Sequence, residues 1–245
     1  MNGWMNRETL EKINNILIND EKLNDDCIMA LLFLMNKINS EYNNNDIIII
    51  DSQYIGSFMI YNDQHPSFLT SIKILNKIFK NNNEENIIYL IPINDNDHWS
   101  LLIYIEKYLK WYHFDSFTIL NNNNKEEEEK EDSCNNIEER HFHKEFIINF
   151  LKKLVKYKIF VHNNSELIKY IEINSKIQNS NWEGGQYLLM YSKLIINYIY
   201  NNKKLYNCKN FEDYIKFNIN YCDEENRKIF IKEMLQLINE NLINC

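Results

Sequence analysis

The chain has 245 residues, 44% of them apolar and 13% aromatic, enough for one sizeable core or at most two small ones. Its formal charge is −8, from 27 Lys and Arg against 35 Asp and Glu, and no basic cluster is localised. That excludes a generic nucleic-acid binder and favours partners with basic surfaces.

Five cysteines (Cys27, Cys134, Cys208, Cys222, Cys245) are scattered without any C-x-x-C spacing. They read as reduced thiols, not as a disulfide frame or a zinc site. The opening MNGWMNRETL has no apolar h-region, and the longest apolar run, Cys27 to Met35, is too short to span a bilayer. The expectation is a soluble cytoplasmic or nuclear protein with no membrane contact. Only four glycines and two prolines occur, which favours long regular elements over punctuated turns.

Leu10, Ile13, Ile16 and Leu17 form a helical stripe. A second helix is predicted from a cap at Asn24 or Asp25 through the apolar segment to Ile38. Ile47 to Ile50 reads as a short buried strand, and Ser67 to Phe79 as another helix. Three strands follow, Ile87 to Ile93, Trp99 to Ile105 and Leu109 to Asp115, rich in Ile, Tyr, Trp and Phe. Asn121 to about Glu139 holds an asparagine run and Glu126 to Glu129, the composition of a solvated loop insertion. Helical period returns from His143 to Tyr157, Lys169 to Ile173 reads as a strand, and a strong helix carries Tyr187, Leu188, Tyr191, Leu194, Ile195 and Tyr198 on one face. Helices near Phe211–Asn220 and Glu224–Leu242 end the chain. A central, mostly antiparallel sheet flanked by helices gives a single α+β domain over 1–245, carrying the acidic insertion at 121–139.

Three places attract a chemical reading. If the second and third long strands form a hairpin with Glu106 and Lys107 in its turn, His98 and Asp115 face each other directly. A carboxylate so placed orients an imidazole by accepting its N–H. The third is QNSNWEGGQY, residues 178–187, in which Gly184 and Gly185 fall in the first turn of the strong helix. A helix N-terminus suits an oxyanion or a thiolate, and the Gln178 amide could add a second donor.

The segments NDNDHWSLLIY, WYHFDS and QNSNWEGGQY, with LNDDCI upstream, together resemble the sentrin/Ulp cysteine proteases and, within them, the deneddylase branch. The steps from His98 to Asp115 and from Gln178 to residue 184 match that family's catalytic spacing. The resemblance implies a Ulp-type, papain-like fold and hydrolysis after the Gly-Gly tail of a ubiquitin-like modifier, without metal or cofactor, by a monomer. It implies His98 as general base, Asp115 as its orienter and Gln178 as oxyanion donor. Trp99, Lys22, Asn24, Asp25 and Trp182 would lie on the substrate-binding side, with Trp99 over the tail.

Two positions depart from the family. Its D-C-G is here Glu183-Gly184-Gly185, so the nucleophile position is Gly184, which offers no thiolate. Its tryptophan before L-N-D is here Lys22. The expectation is a pseudoprotease that binds a SUMO-type or neddylation-type modifier. The alternatives are an active protease whose cysteine has been replaced at 184, and a non-catalytic scaffold. His113 beside Asp115 reads as a packed, hydrogen-bonded histidine, not a metal ligand. Cys27, on an apolar helix face, reads as an inert buried thiol.

Overall fold

The computed structural model describes residues 7–40, 47–80, 87–95, 98–116, 134–160, 169–174, 183–201 and 208–243. The chain enters through α1 (Arg7–Ile18) and α2 (Asp25–Ser40), where the Asn24 side chain caps α2 by accepting from the Cys27 amide at 3.0 Å. β1 (Ile47–Ile49) leads into α3 (Ser52–Ile60), which the sequence reading does not contain. Asp51 starts it by accepting from the Gln53 amide at 2.8 Å. α4 (Pro66–Lys80) follows, then β2 (Ile88–Asp95), β3 (His98–Ile105) and β4 (Lys110–Asp115). α5 (Cys134–Lys156) begins earlier than the helical period from His143, so the end of the expected insertion, from Cys134, is helix. Residues 121–133 of that insertion lie outside the described residues. β5 (Lys169–Asn174), α6 (Gly184–Asn201), α7 (Cys208–Asn218) and α8 (Glu224–Ile243) complete the order.

The five strands lie in sequence order, antiparallel through β2, β3 and β4 and parallel at both edges. Parallel pairing demands a crossover, and α3 and α4 supply it on one edge while α5 supplies it on the other. Side chains alternate across the sheet, so Trp99, Leu101, Ile103, Tyr112 and Phe114 pack into one core with residues of α1, α2 and α6–α8. Leu102, Tyr104 and Trp111 pack into a second core with residues of α3, α4 and α5. Two cores on two faces make three layers, helix on sheet on helix. The central position of α6, whose residues 187–192 are all buried, explains its nearly unbroken apolar sequence.

Candidate functional site

The first residue of β3 and the last of β4 meet: His98 Nε2 lies 2.7 Å from Asp115 Oδ1, with the side chains 16% and 10% exposed. The route to this contact differs from the expected one. The turn is not a tight Glu106-Lys107 pair. It is a 3₁₀ turn over Glu106–Tyr108, closed by Leu109 in the left-handed conformation at φ 52°, ψ 40°. The wider turn sets Leu101 against Phe114 and Ile105 against Lys110. One step further along this register, Asp115 falls against Ser100, so His98 is its diagonal neighbour. A two-residue shift keeps both side chains on one face, because the strand period is two, and diagonal neighbours lie within reach of long side chains. With Nε2 on the carboxylate, any proton the ring exchanges with a further group passes through Nδ1.

A cleft of about 380 Å³ opens next along the chain from His98, lined by Lys22, Leu23, Asn24, Asp25, Asp26, Gln53, Asn94 and Trp99. It brings together four of the five residues expected on the substrate-binding side. Asn94 donates to Asp25 at 2.9 Å, tying the start of α2 to the end of β2. The Trp99 indole donates from Nε1 to the Leu23 carbonyl at 3.2 Å and is only 2% exposed. It is therefore a fixed wall that shows an edge to the cleft, not a free-standing flap. Burial, with the nearby carboxylates of Asp25 and Asp26, raises the Asp51 carboxyl above its ordinary range.

The N-terminus of α6 abuts this wall. A Cβ on Gly185 would stand 3.0 Å from Ile28 Cδ1 and 3.3 Å from both Leu23 Cβ and Trp99 Cδ1. A side chain there would push these neighbours back by a few tenths of an ångström, so glycine permits the closest approach. Gly184 and His98 each precede a member of this contact in the chain. Before them, buried Glu183 accepts from the Gln186 and Tyr187 amides through its carbonyl at 2.9 and 3.1 Å. Its carboxylate pairs with Arg227 Nη2 at 3.4 Å. Arg227, itself 2% exposed, also donates to Gln186 Oε1, to Asp20 at 3.0 Å and to both oxygens of Glu224 at 2.7 and 2.8 Å. One guanidinium thus ties the helix start to the α1–α2 turn that leads into the cleft wall. Guanidinium forks suit such multiple carboxylate pairing.

Gly184 is the first residue of α6, as its expected place at a helix start requires, while Gln178 and Trp182 lie outside the described residues. His113 is buried, and among the described residues no three His, Cys, Asp or Glu side chains gather as a metal site. Cys27 is buried in α2, and burial raises its thiol pKa. The sequence reading lacks Gln53, Asn94 and Arg227. Asn94 sits inside the NDNDHWS segment and was within reach of that motif; Gln53 and Arg227 carry no local signal.

No protein-family model and no curated protein matches the chain by sequence. Solved structures do match. A structure of the SUMO protease Ulp1 with its catalytic cysteine oxidised to a sulfenic acid is 17% identical, with a TM-score of 0.58 over 98% of this chain and 89% of that one. The C-terminal Ulp1 protease domain in complex with SMT3, the yeast orthologue of SUMO, is 17% identical, with a TM-score of 0.54 over 94% and 83%. The Xanthomonas campestris effector XopD bound to ubiquitin is 14% identical, with a TM-score of 0.50 over 88% and 90%. The chain has the Ulp-type protease fold, as the resemblance in its motifs implies.

Proposed function

We propose that this chain is a ubiquitin-like-modifier-binding relative of the Ulp-type proteases that holds the modifier's Gly-Gly tail without cleaving it. The carrying observation is the conjunction of three things: the His98–Asp115 pair at 2.7 Å, the cleft walled by Trp99 and Lys22, and glycine at 184. In this reading Asp115 orients His98 as general base, Gln178 supplies an oxyanion donor, and Asn24, Asp25 and Trp182 meet the modifier. The machinery for handling a proton is present and the atom that would attack is missing. Loss of a nucleophile from such a unit costs on the order of a million-fold in turnover. Lys22 adds a positive charge at the cleft, which favours a free C-terminal carboxylate over an amide-linked one.

Calorimetric titration with SUMO-type and neddylation-type modifiers ending in Gly-Gly tests the holding function. Binding of a mature modifier, at least as tight as that of a C-terminally extended one, is expected. No binding of any ubiquitin-like protein at high micromolar concentration overturns it. Gly184→Cys tests the rest of the site: it should release a fluorogenic group from a modifier substrate while the unaltered chain does not. Thiol-sensitive turnover by the unaltered chain would refute the pseudoprotease reading.

A further inference from the structure

A second cluster of reactive side chains lies at the other end of β4 from Asp115. Cys208 opens α7 against Lys110, the first residue of β4, and against Tyr112 two residues on. Lys110 Nζ donates to Cys208 Sγ at 2.9 Å and to Glu212 Oε1 at 2.8 Å. The Cys208 thiol donates to that same Glu212 oxygen at 3.2 Å, and the Tyr112 hydroxyl lies 3.5 Å from the sulfur while donating to Glu212 at 3.1 Å. A thiol, a proton acceptor, an ammonium donor and a hydroxyl thus share one site, and no step proposed for His98 and Asp115 uses it. The Lys110 hydrogen bond, reinforced by those from Cys208 and Tyr112, holds the Glu212 carboxyl below its ordinary range, and the bonds to Cys208 and Glu212 raise the Lys110 ammonium, so the two stand as carboxylate and ammonium at neutral pH. Cys208 is part-exposed, whereas Cys27 and Cys222 are buried.

We propose that Cys208 is an oxidation site for hydroperoxides, with Glu212 as its proton acceptor and Lys110 as donor to the departing oxygen. The sulfur attacks one peroxide oxygen as Glu212 takes the thiol proton; an S–O bond forms and the O–O bond breaks. Lys110 protonates the leaving oxygen, giving water from hydrogen peroxide or an alcohol from an organic hydroperoxide. The proton on Glu212 returns to Lys110 across their 2.8 Å contact. Sulfur is oxidised by two electrons to the sulfenic acid, the peroxide is reduced by two, and both side chains end as they began.

The test is hydrogen peroxide treatment of the full chain with dimedone present, followed by peptide-resolved mass spectrometry of each cysteine. Cys208 should be trapped at least about tenfold faster in the folded chain than in urea, as expected of a thiol with positioned acid and base groups. Cys27 and Cys222 should be slower when folded. Lys110→Met and Glu212→Gln should each slow trapping at Cys208 about tenfold or more while Cys27 and Cys222 stay protected. Should Lys110→Met unfold the chain, Cys27 and Cys222 become reactive together, and the volume-matched Glu212→Gln then decides. Trapping of Cys208 no faster when folded than in urea, or unaffected by Glu212→Gln, overturns the proposal.

Discussion

Gly185 and Gly56 both sit inside helices, yet replacing each by alanine should move stability in opposite directions. At Gly56 in α3, an added Cβ meets nothing within 4 Å. The substitution there removes only glycine's excess backbone entropy, so Gly56→Ala should stabilise by about 0.5–1 kcal/mol. At Gly185 the added methyl stands 3.0 Å from Ile28 Cδ1, 3.3 Å from Leu23 Cβ and 3.3 Å from Trp99 Cδ1. The first of these is the far end of a flexible side chain and can rotate away. Leu23 Cβ moves only with its backbone, and the indole is held by its bond to the Leu23 carbonyl. Overpacking of this kind costs about 1–3 kcal/mol, and the helix-propensity gain offsets part of it. A net loss of about 1–2 kcal/mol is expected, or roughly 2–8 °C in Tm for a chain of this size. Urea denaturation and thermal melts of both variants read it directly. If Gly185→Ala is neutral or stabilising, α6 does not press on the Trp99 wall at these distances.

Arg227→Met should cost about 3–5 kcal/mol in urea unfolding, because it removes the cation paired with the buried Glu183 carboxylate and the donor to the Gln186 side-chain carbonyl together. Arg227→Lys should recover only part of that, since an ammonium cannot reproduce the two-toothed contact with Glu224. Acid reports on the same cluster: hydrogen bonding to Arg227 holds the Glu224 carboxyl below its ordinary value of 4.5, so the unfolded chain takes up the proton first as pH falls. The stability lost in Glu224→Gln should therefore be full above that value and shrink as pH drops through the lower folded one. Burial raises Asp51 and Glu106 instead, with the opposite pH slope, so the observable is the difference between wild type and variant, not the wild-type curve alone. A difference that does not change with pH would mean Glu224 gains nothing from Arg227.

What could be read from the sequence depended on whether the signal was periodic. α1, α4 and α6 were legible because their apolar spacing repeats over several turns, and the strands because β-branched and aromatic residues crowd into short bounded runs. α3 was not, because SQYIGSFMI is only nine residues long, too few turns for an apolar stripe to repeat. Its one cue was Asp51, which directly follows the expected strand Ile47 to Ile50 and caps the helix. The Arg227 cluster was illegible for a different reason: its members come from the α1–α2 turn and the starts of α6 and α8, and no spacing rule connects them.

The His98–Asp115 contact lies between these cases. Its expected hairpin had the wrong turn and a register wrong by two residues, yet the two side chains meet at 2.7 Å. The error was harmless because side-chain facing depends only on whether a shift is odd or even. What the spacing fixes is which side of the sheet each residue occupies. A long imidazole and a carboxylate at adjoining strand ends then have enough reach to close a diagonal gap as well as a direct one. Pairings of short side chains have no such reach.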